Sequence, residues 1–243
     1  MALIVAMAVA GTGCANERAS EPAAPLGSAE VEPAAVQQHA RQFDSELSPR
    51  GPGSQQEFAA AAYIVGHLQQ AGYVARLDPV PVANLVESSN VIALAPGADA
   101  SVLVVVPYDD SARGETIGLW LELARALRVG RADHHVQLVA LGAEDGDPGR
   151  GGTRRLIRVL KDGEEDPEVL TLAVIPEALE VTASGNSARA LMGIAADMGI
   201  DARVVELDAD DLWSVAGFEH TRVEGRVHEV GALLLRFLAT EDS

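Results

Sequence analysis

The residues of this 243-residue chain best placed to do chemistry are carboxylates at turns that follow apolar strands. In segment 101–125, SVLVVVPYDDSARGETIGLWLELAR, residues 102–106 form a continuous β-branched run that reads as a strand buried on both faces. It ends at Pro107-Tyr108-Asp109-Asp110, and from Thr116 the apolar residues become dense over a helix-length stretch. Residues 136–141 repeat the pattern and run into Gly142-Ala143-Glu144-Asp145-Gly146. In an open α/β sheet, ligands bind in the crevice beyond the carboxyl ends of the strands, so these turns are where chemistry is expected. Asp109, Asp110, Glu115, Glu144, Asp145, Glu177 and Asp210 are the acids that such a crevice can gather. Crowded like charges raise one another's pKa values or recruit a cation, and oxygen donors alone favour Mg²⁺ or Ca²⁺ over zinc. The competing reading is that these are solvated loop acids, in a chain with 36 acidic and 18 basic residues.

The elements that must position these acids follow from the hydrophobic pattern. Val36, His39, Ala40 and Phe43 recur at helical spacing before the breaker Ser48-Pro49-Arg50-Gly51-Pro52. Ser54-Gln55-Gln56-Glu57 is a capping box that opens a helix with its stripe at Phe58, Ala61, Ala62, Val65 and Leu68, ended by Gly72. Residues 73–80 and 90–94 read as strands, as do 102–106, 136–141, 170–175 and 202–207. Helices are expected over 116–128, 187–198 and 227–238, with a short one that Thr153 caps and that carries Leu156, Ile157 and Leu160. This alternation predicts an α/β fold whose mostly parallel sheet is covered on both faces. His39 and His67 lie on helices, far in sequence from the acidic turns, and read as core or surface residues.

The net charge of −18 excludes nucleic acid and an anionic membrane surface as expected partners. An apolar fraction of 48% is ample for a large core. Residues 2–10 are apolar but too short to span a bilayer, and they precede Gly11-Thr12-Gly13-Cys14. Residues 1–14 resemble a bacterial lipoprotein signal, in which Cys14 would be acylated; an ordinary cleaved signal or a frayed tail is the alternative. Such a chain would be exported to the cell envelope and touch the membrane only through an N-terminal lipid anchor. Residues 15–32 read as a disordered tether and 33–243 as the globular domain. As the single cysteine, Cys14 excludes an internal disulfide or a cysteine-rich metal site.

Read in order, Gln69-Gln70-Ala71-Gly72-Tyr73, Asn90-Val91-Ile92-Ala93 with Pro96-Gly97, the strand end Val104-Val105-Val106-Pro107-Tyr108-Asp109, the helix Leu121-Glu122-Leu123-Ala124-Arg125 and Ala143-Glu144-Asp145 resemble the M28 family of zinc aminopeptidases. The resemblance spans about 33–238. It implies a three-layer α/β/α domain with a mixed, mainly parallel sheet, and an exopeptidase site with two zinc ions at the carboxyl ends of the strands. Such a site needs a bridging carboxylate, outer histidine and carboxylate ligands, and a glutamate that takes a proton from the bridging water. The resemblance makes Glu144 the general base and Asp145 a ligand, and brings Glu177 near another ligand position. It also implies departures. Pro107 stands where the family has its first histidine, leaving Asp109 as the aspartate that would orient it; Asp210 stands at the last histidine; and Ala112 falls near the bridging aspartate, with Glu115 the nearest carboxylate. His134, His135, His220 and His228 match no ligand position.

Three readings follow. The site residues favour a hydrolytically impaired, exported M28-like protein that binds a peptide or a protein partner in the former crevice, with no cofactor or a weakly held divalent cation. The alternatives are an active zinc aminopeptidase using Glu144, and a structural lipoprotein of the envelope.

Overall fold

The computed structural model describes residues 28–82, 86–145, 149–183, 186–208 and 210–240. The signal-like segment with Cys14, tether residues 15–27 and Gly146 lie outside the described residues.

The helical elements start with α1 (Pro33–Arg41), which runs into a π-helical turn (Gln42–Glu46). Helix α2 (Gln55–Ala71) follows, with the Ser54 hydroxyl accepting from the Glu57 N–H and Gly72, at φ 99°, closing its end. Half of the expected capping box is therefore present; the Glu57 side chain does something else, described below. Strands β1 (Val74–Pro81) and β2 (Glu87–Leu94) form a hairpin and lead to β3 (Val102–Pro107), α3 (Gly114–Gly130), β4 (Val136–Leu141) and α4 (Gly151–Asp162). The chain then runs through β5 (Glu168–Val174), β6 (Leu179–Ala183), α5 (Asn186–Asp197), β7 (Ala202–Val205), α6 (Leu212–Val215), β8 (His220–Gly225) and α7 (Val227–Thr240).

Among the described residues, eight strands form one sheet in the order β1-β2-β4-β3-β5-β8-β6-β7. The β3–β4, β3–β5, β5–β8 and β6–β7 pairs are parallel, and β1–β2, β2–β4 and β6–β8 are antiparallel. This is the mixed, mainly parallel α/β/α architecture expected. The right-handed β3–α3–β4 crossover rule is why α3 lies against the sheet and runs antiparallel to the strands. Twelve of its residues are buried, because α1 and α7 pack over it as well. Gly114 and Gly118 permit that approach: a Cβ there would sit 2.5 Å from the Ala40 carbonyl oxygen and 2.6 Å from that of Val36.

Coverage of the two faces is uneven. Leu123, Ile64, Leu68, Leu191, Leu233 and their neighbours on α1, α2, α3, α5 and α7 bury one face. The other face holds a smaller core, in which Leu156 and Leu160 of α4 and Trp213 of α6 meet Leu103, Val105, Val139 and Leu141. Beyond it, strand register aligns Thr171, Arg222 and Thr182, and beside them Glu224 and Glu180, on one polar stripe. The helical cover on this face is thinner over β5, β8 and β6, where Thr171, Arg222, Glu224, Thr182 and Glu180 share one side of the sheet.

Residues 28–32, read from the sequence as the end of the tether, are held on the helical layer. Arg125 donates to the carbonyls of Ser28 and Glu30, both at 2.7 Å, and is paired with Glu122, whose carboxylate also accepts from the Glu32 N–H. The docked part of the chain therefore begins before Pro33.

Candidate active-site cleft

The loop between β4 and α4 carries Glu144, and three buried side chains from other elements hold its backbone. Asn90 accepts from the Gly142 N–H at 3.2 Å, Glu57 from Ala143 at 3.1 Å, and Asp109 from Asp145 at 2.7 Å. The Gly142 and Ala143 N–H groups lie in buried residues and find their partners in these side chains. Glu57 is only 1% exposed and also accepts from the Ser88 hydroxyl and the Gly53 N–H. Burial outweighs these bonds and pushes its carboxyl above the ordinary glutamate range. Ala143 and Arg150 bracket Glu144 at φ 55° and 54°, so the loop stores backbone strain on both sides of it. The bonds Gly151 N–H to Ala143 O, 2.7 Å, and Arg150 N–H to Glu144 O, 2.9 Å, close the loop.

Thr153 does not cap α4 as expected. It is the third residue of the helix, and its N–H and hydroxyl both donate to the Glu144 carboxylate, at 2.7 and 2.8 Å. Glu144 itself satisfies the helix start from outside, an anion at the positive end of the dipole. Burial raises its carboxyl above the ordinary glutamate range even so, against the Thr153 bonds and the Arg150 charge.

Across the β3–α3 turn, the guanidinium of Arg50 does the positioning. It is 3% exposed and donates to the carbonyls of Tyr108, Asp109, Ala112 and Phe43. Sequence reasoning passed over this residue as part of a proline-rich breaker. Asp109 is fully buried, and its other oxygen accepts from the Ser111 N–H and hydroxyl. The carboxylate expected to orient an imidazole therefore ties two loops together.

Between the loops lies a cleft of about 510 Å³, bounded by Pro107, Arg113, Leu141, Glu144, Arg150 and Thr153 at the strand ends. Its floor runs down the polar stripe to Thr171, His220, Arg222 and Glu224, with Asp211 and Trp213 of the α6 start on the far side. The structure brings Glu144 to this wall. Asp145 is exposed beside it, Glu177 is exposed in the turn between β5 and β6, and Asp210 is exposed in an adjoining groove with Glu206 and Asp208. Glu115 accepts from Gln37 on α1.

His220, which matched no expected ligand position, lies in the floor at 4% exposure. Its Nδ1 is 3.0 Å from Asp211 Oδ2 and its Nε2 2.9 Å from Thr171 Oγ1. Burial pushes Asp211 up, but the Ser214 N–H and the His220 ring outweigh it and hold the carboxyl below its ordinary range. Burial lowers the His220 pKa against that same pull. A neutral ring beside an ionised acid fixes the roles: Nδ1–H donates to Asp211, and the lone pair of Nε2 accepts from the Thr171 hydroxyl. The sequence signal was the alternation His220-Thr221-Arg222-Val223-Glu224, a strand with one polar face.

Among the described residues no zinc-binding group is assembled at the cleft. Proline offers no donor at 107, both Asp109 oxygens and both Glu144 oxygens are hydrogen-bonded, and both His220 nitrogens are engaged. Among the described residues no three His, Cys, Asp or Glu side chains are gathered to hold a metal ion.

An eight-stranded mixed sheet between helices, with its cleft at the carboxyl ends of the central strands, is the zinc-exopeptidase-like α/β fold. A protein of Bacteroides vulgatus described as a zinc-dependent exopeptidase superimposes with a TM-score of 0.72 at 16% identity, over 86% of this chain and 96% of that one. Porphyromonas gingivalis glutaminyl cyclase gives 0.69 at 17% identity, over 86% and 98%. A leucine aminopeptidase precursor from Bacteroides thetaiotaomicron gives 0.70 at 14%, over 86% and 97%. At such identities the likeness establishes the fold. No family model matches the sequence, and no curated protein matches it.

Proposed function

We propose that this chain is an exported protein of the zinc-exopeptidase-like fold that binds a peptide, or a peptide segment of a protein partner, in the cleft without zinc-dependent hydrolysis. One observation carries the reading: the Glu144 carboxylate, the would-be general base, is spent on the start of α4, with no ligand set assembled beside it among the described residues. The mixed lining of Arg113, Arg150 and Arg222 with Glu144, Asp211 and Glu224 suits the alternating donors and acceptors of a peptide backbone. Among the described residues no helix is long and apolar enough to cross a membrane. The resemblance of residues 1–14 to a lipoprotein signal supports attachment through an acylated Cys14.

Elemental analysis of the purified chain, beside an aminopeptidase assay with Glu144→Ala as control, tests the reading. Substoichiometric zinc and equal, background turnover in both proteins are expected. Integral zinc with turnover lost in Glu144→Ala would replace this reading with that of an active aminopeptidase. Mass spectrometry of the N-terminal peptide tests the anchor: a diacylated Cys14 is expected, and an unmodified, retained leader would refute it.

A further inference from the structure

We propose that Thr171, His220 and Asp211 form a metal-independent acyl-transfer site in the floor of the cleft, with carboxylic esters as its substrate class. It goes beyond the binding role and does not depend on it.

Three side chains far apart in sequence meet in one hydrogen-bonded line: carboxylate to imidazole at 3.0 Å, imidazole to hydroxyl at 2.9 Å. The order is that of an orienting acid, a general base and a nucleophile. Each member is fixed by its own element. Asp211 is locked by accepting the Ser214 N–H at 2.9 Å as it caps α6; His220 opens β8; Thr171 lies within β5. Thr171 is half-buried and lines the cleft, so its hydroxyl is reachable from the side where substrate would enter, while the ring behind it is shielded from water. Arg222 is the direct β8 partner of Thr171, about one strand spacing of 5 Å away at the backbone. Arg222 lines the same cleft with its guanidinium paired to Glu224 at 2.6 Å, and in this proposal it turns from that partner to the developing oxyanion.

The step balances as follows. The Thr171 oxygen bonds to the acyl carbon as its proton passes to His220 Nε2. The bond to the leaving alcohol breaks, and the alcohol departs with that proton. Water then attacks the acyl-threonine, giving a proton to Nε2; the Thr171 oxygen leaves and takes the proton back, and the carboxylic acid is released. Ester and water become acid and alcohol. Esters are favoured over amides, because an alcohol demands less protonation to leave than an amine. Asp211 exchanges no proton with the ester and acts through the His220 ring, so it is a positioning residue.

The full chain, treated with chelator, is mixed with p-nitrophenyl acetate, and the product burst and the acylated peptide are followed. An acetyl group on Thr171 and turnover indifferent to chelator are expected. Thr171→Val and His220→Gln should lower turnover by about a hundredfold or more, and Thr171→Ser should retain it. Asp211→Asn should lower kcat with KM unchanged. Absence of turnover above the heat-denatured chain, acetyl on another residue instead of Thr171, or undiminished turnover in Thr171→Val overturns the proposal. The wild-type adduct decides the matter even if a variant fails to fold.

Discussion

Arg50→Leu should loosen the β3–α3 turn and cost stability. The guanidinium sits at 3% exposure and reaches Tyr108 O at 2.8 Å, Ala112 O at 3.0 Å, Asp109 O at 3.1 Å and Phe43 O at 2.5 Å. Asp109 O keeps the Ala112 N–H, so the substitution takes a donor from the carbonyls of Phe43, Tyr108 and Ala112 without replacing it. An acceptor left bare inside a protein costs about 1–3 kcal/mol, so three of them cost at least about 3 kcal/mol at the low end. Leucine returns about 1 kcal/mol through its buried methyl groups, leaving a net loss of about 2 kcal/mol or more. With a urea slope of about 2 kcal/mol per molar, the unfolding midpoint should drop by about 1 M at unchanged slope. Amide exchange in 109–112 should quicken at the same time. A midpoint within about 0.3 M of the parent's would refute the argument that these carbonyls depend on Arg50.

Three further substitutions probe the cleft and the helical layer. Gly152→Ala would set a Cβ 2.4 Å from Gly142 O, 2.5 Å from Asn90 Oδ1 and 3.1 Å from Glu144 Oε1, so it should cost about 2 kcal/mol and displace the Glu144 loop, read by urea midpoint and amide shifts. Thr153→Val removes one donor to Glu144 and should raise that carboxyl further. A raised folded pKa stabilises fully below the unfolded value and loses that contribution as pH rises through the folded one. Stability should therefore fall more steeply with pH above the ordinary glutamate value in Thr153→Val than in the parent; equal slopes would count against it. His39, bonded to the Tyr63 hydroxyl at 2.8 Å, has its pKa lowered by burial, and then by His67, from 6.5 to about 4. Its contribution is present above pH 6.5 and lost as pH falls towards 4, amounting to at most about 3 kcal/mol. His39→Gln should flatten that acid limb in urea midpoints taken at a series of pH values.

What the sequence made legible was whatever depended on apolar runs. Val136–Leu141 was read to the residue, and β3 and α3 within two residues at each end, because both faces of the strands and most of the helix are buried. Leu179–Ala183 and His220–Gly225 escaped because one side of each strand faces the polar floor, so charge interrupts the hydrophobic signal. Glu144 was found by its place after a strand, but Thr153 was read as a cap because its partner arrives from another element. His220 was set aside for matching no ligand spacing; its partners stand 9 and 49 residues away, one at the start of α6 and the other brought beside it by the β5–β8 register.

The clasp of Arg125 on Ser28 and Glu30 also gives the molecule an orientation. Ala29 packs by Gly130, at the far end of α3 from Thr116 in the cleft wall, a run of about 21 Å at the rise of a helix. Ser28, where the described chain begins, therefore sits at the edge remote from the opening, and the clasp that holds it leaves the mouth of the cleft clear.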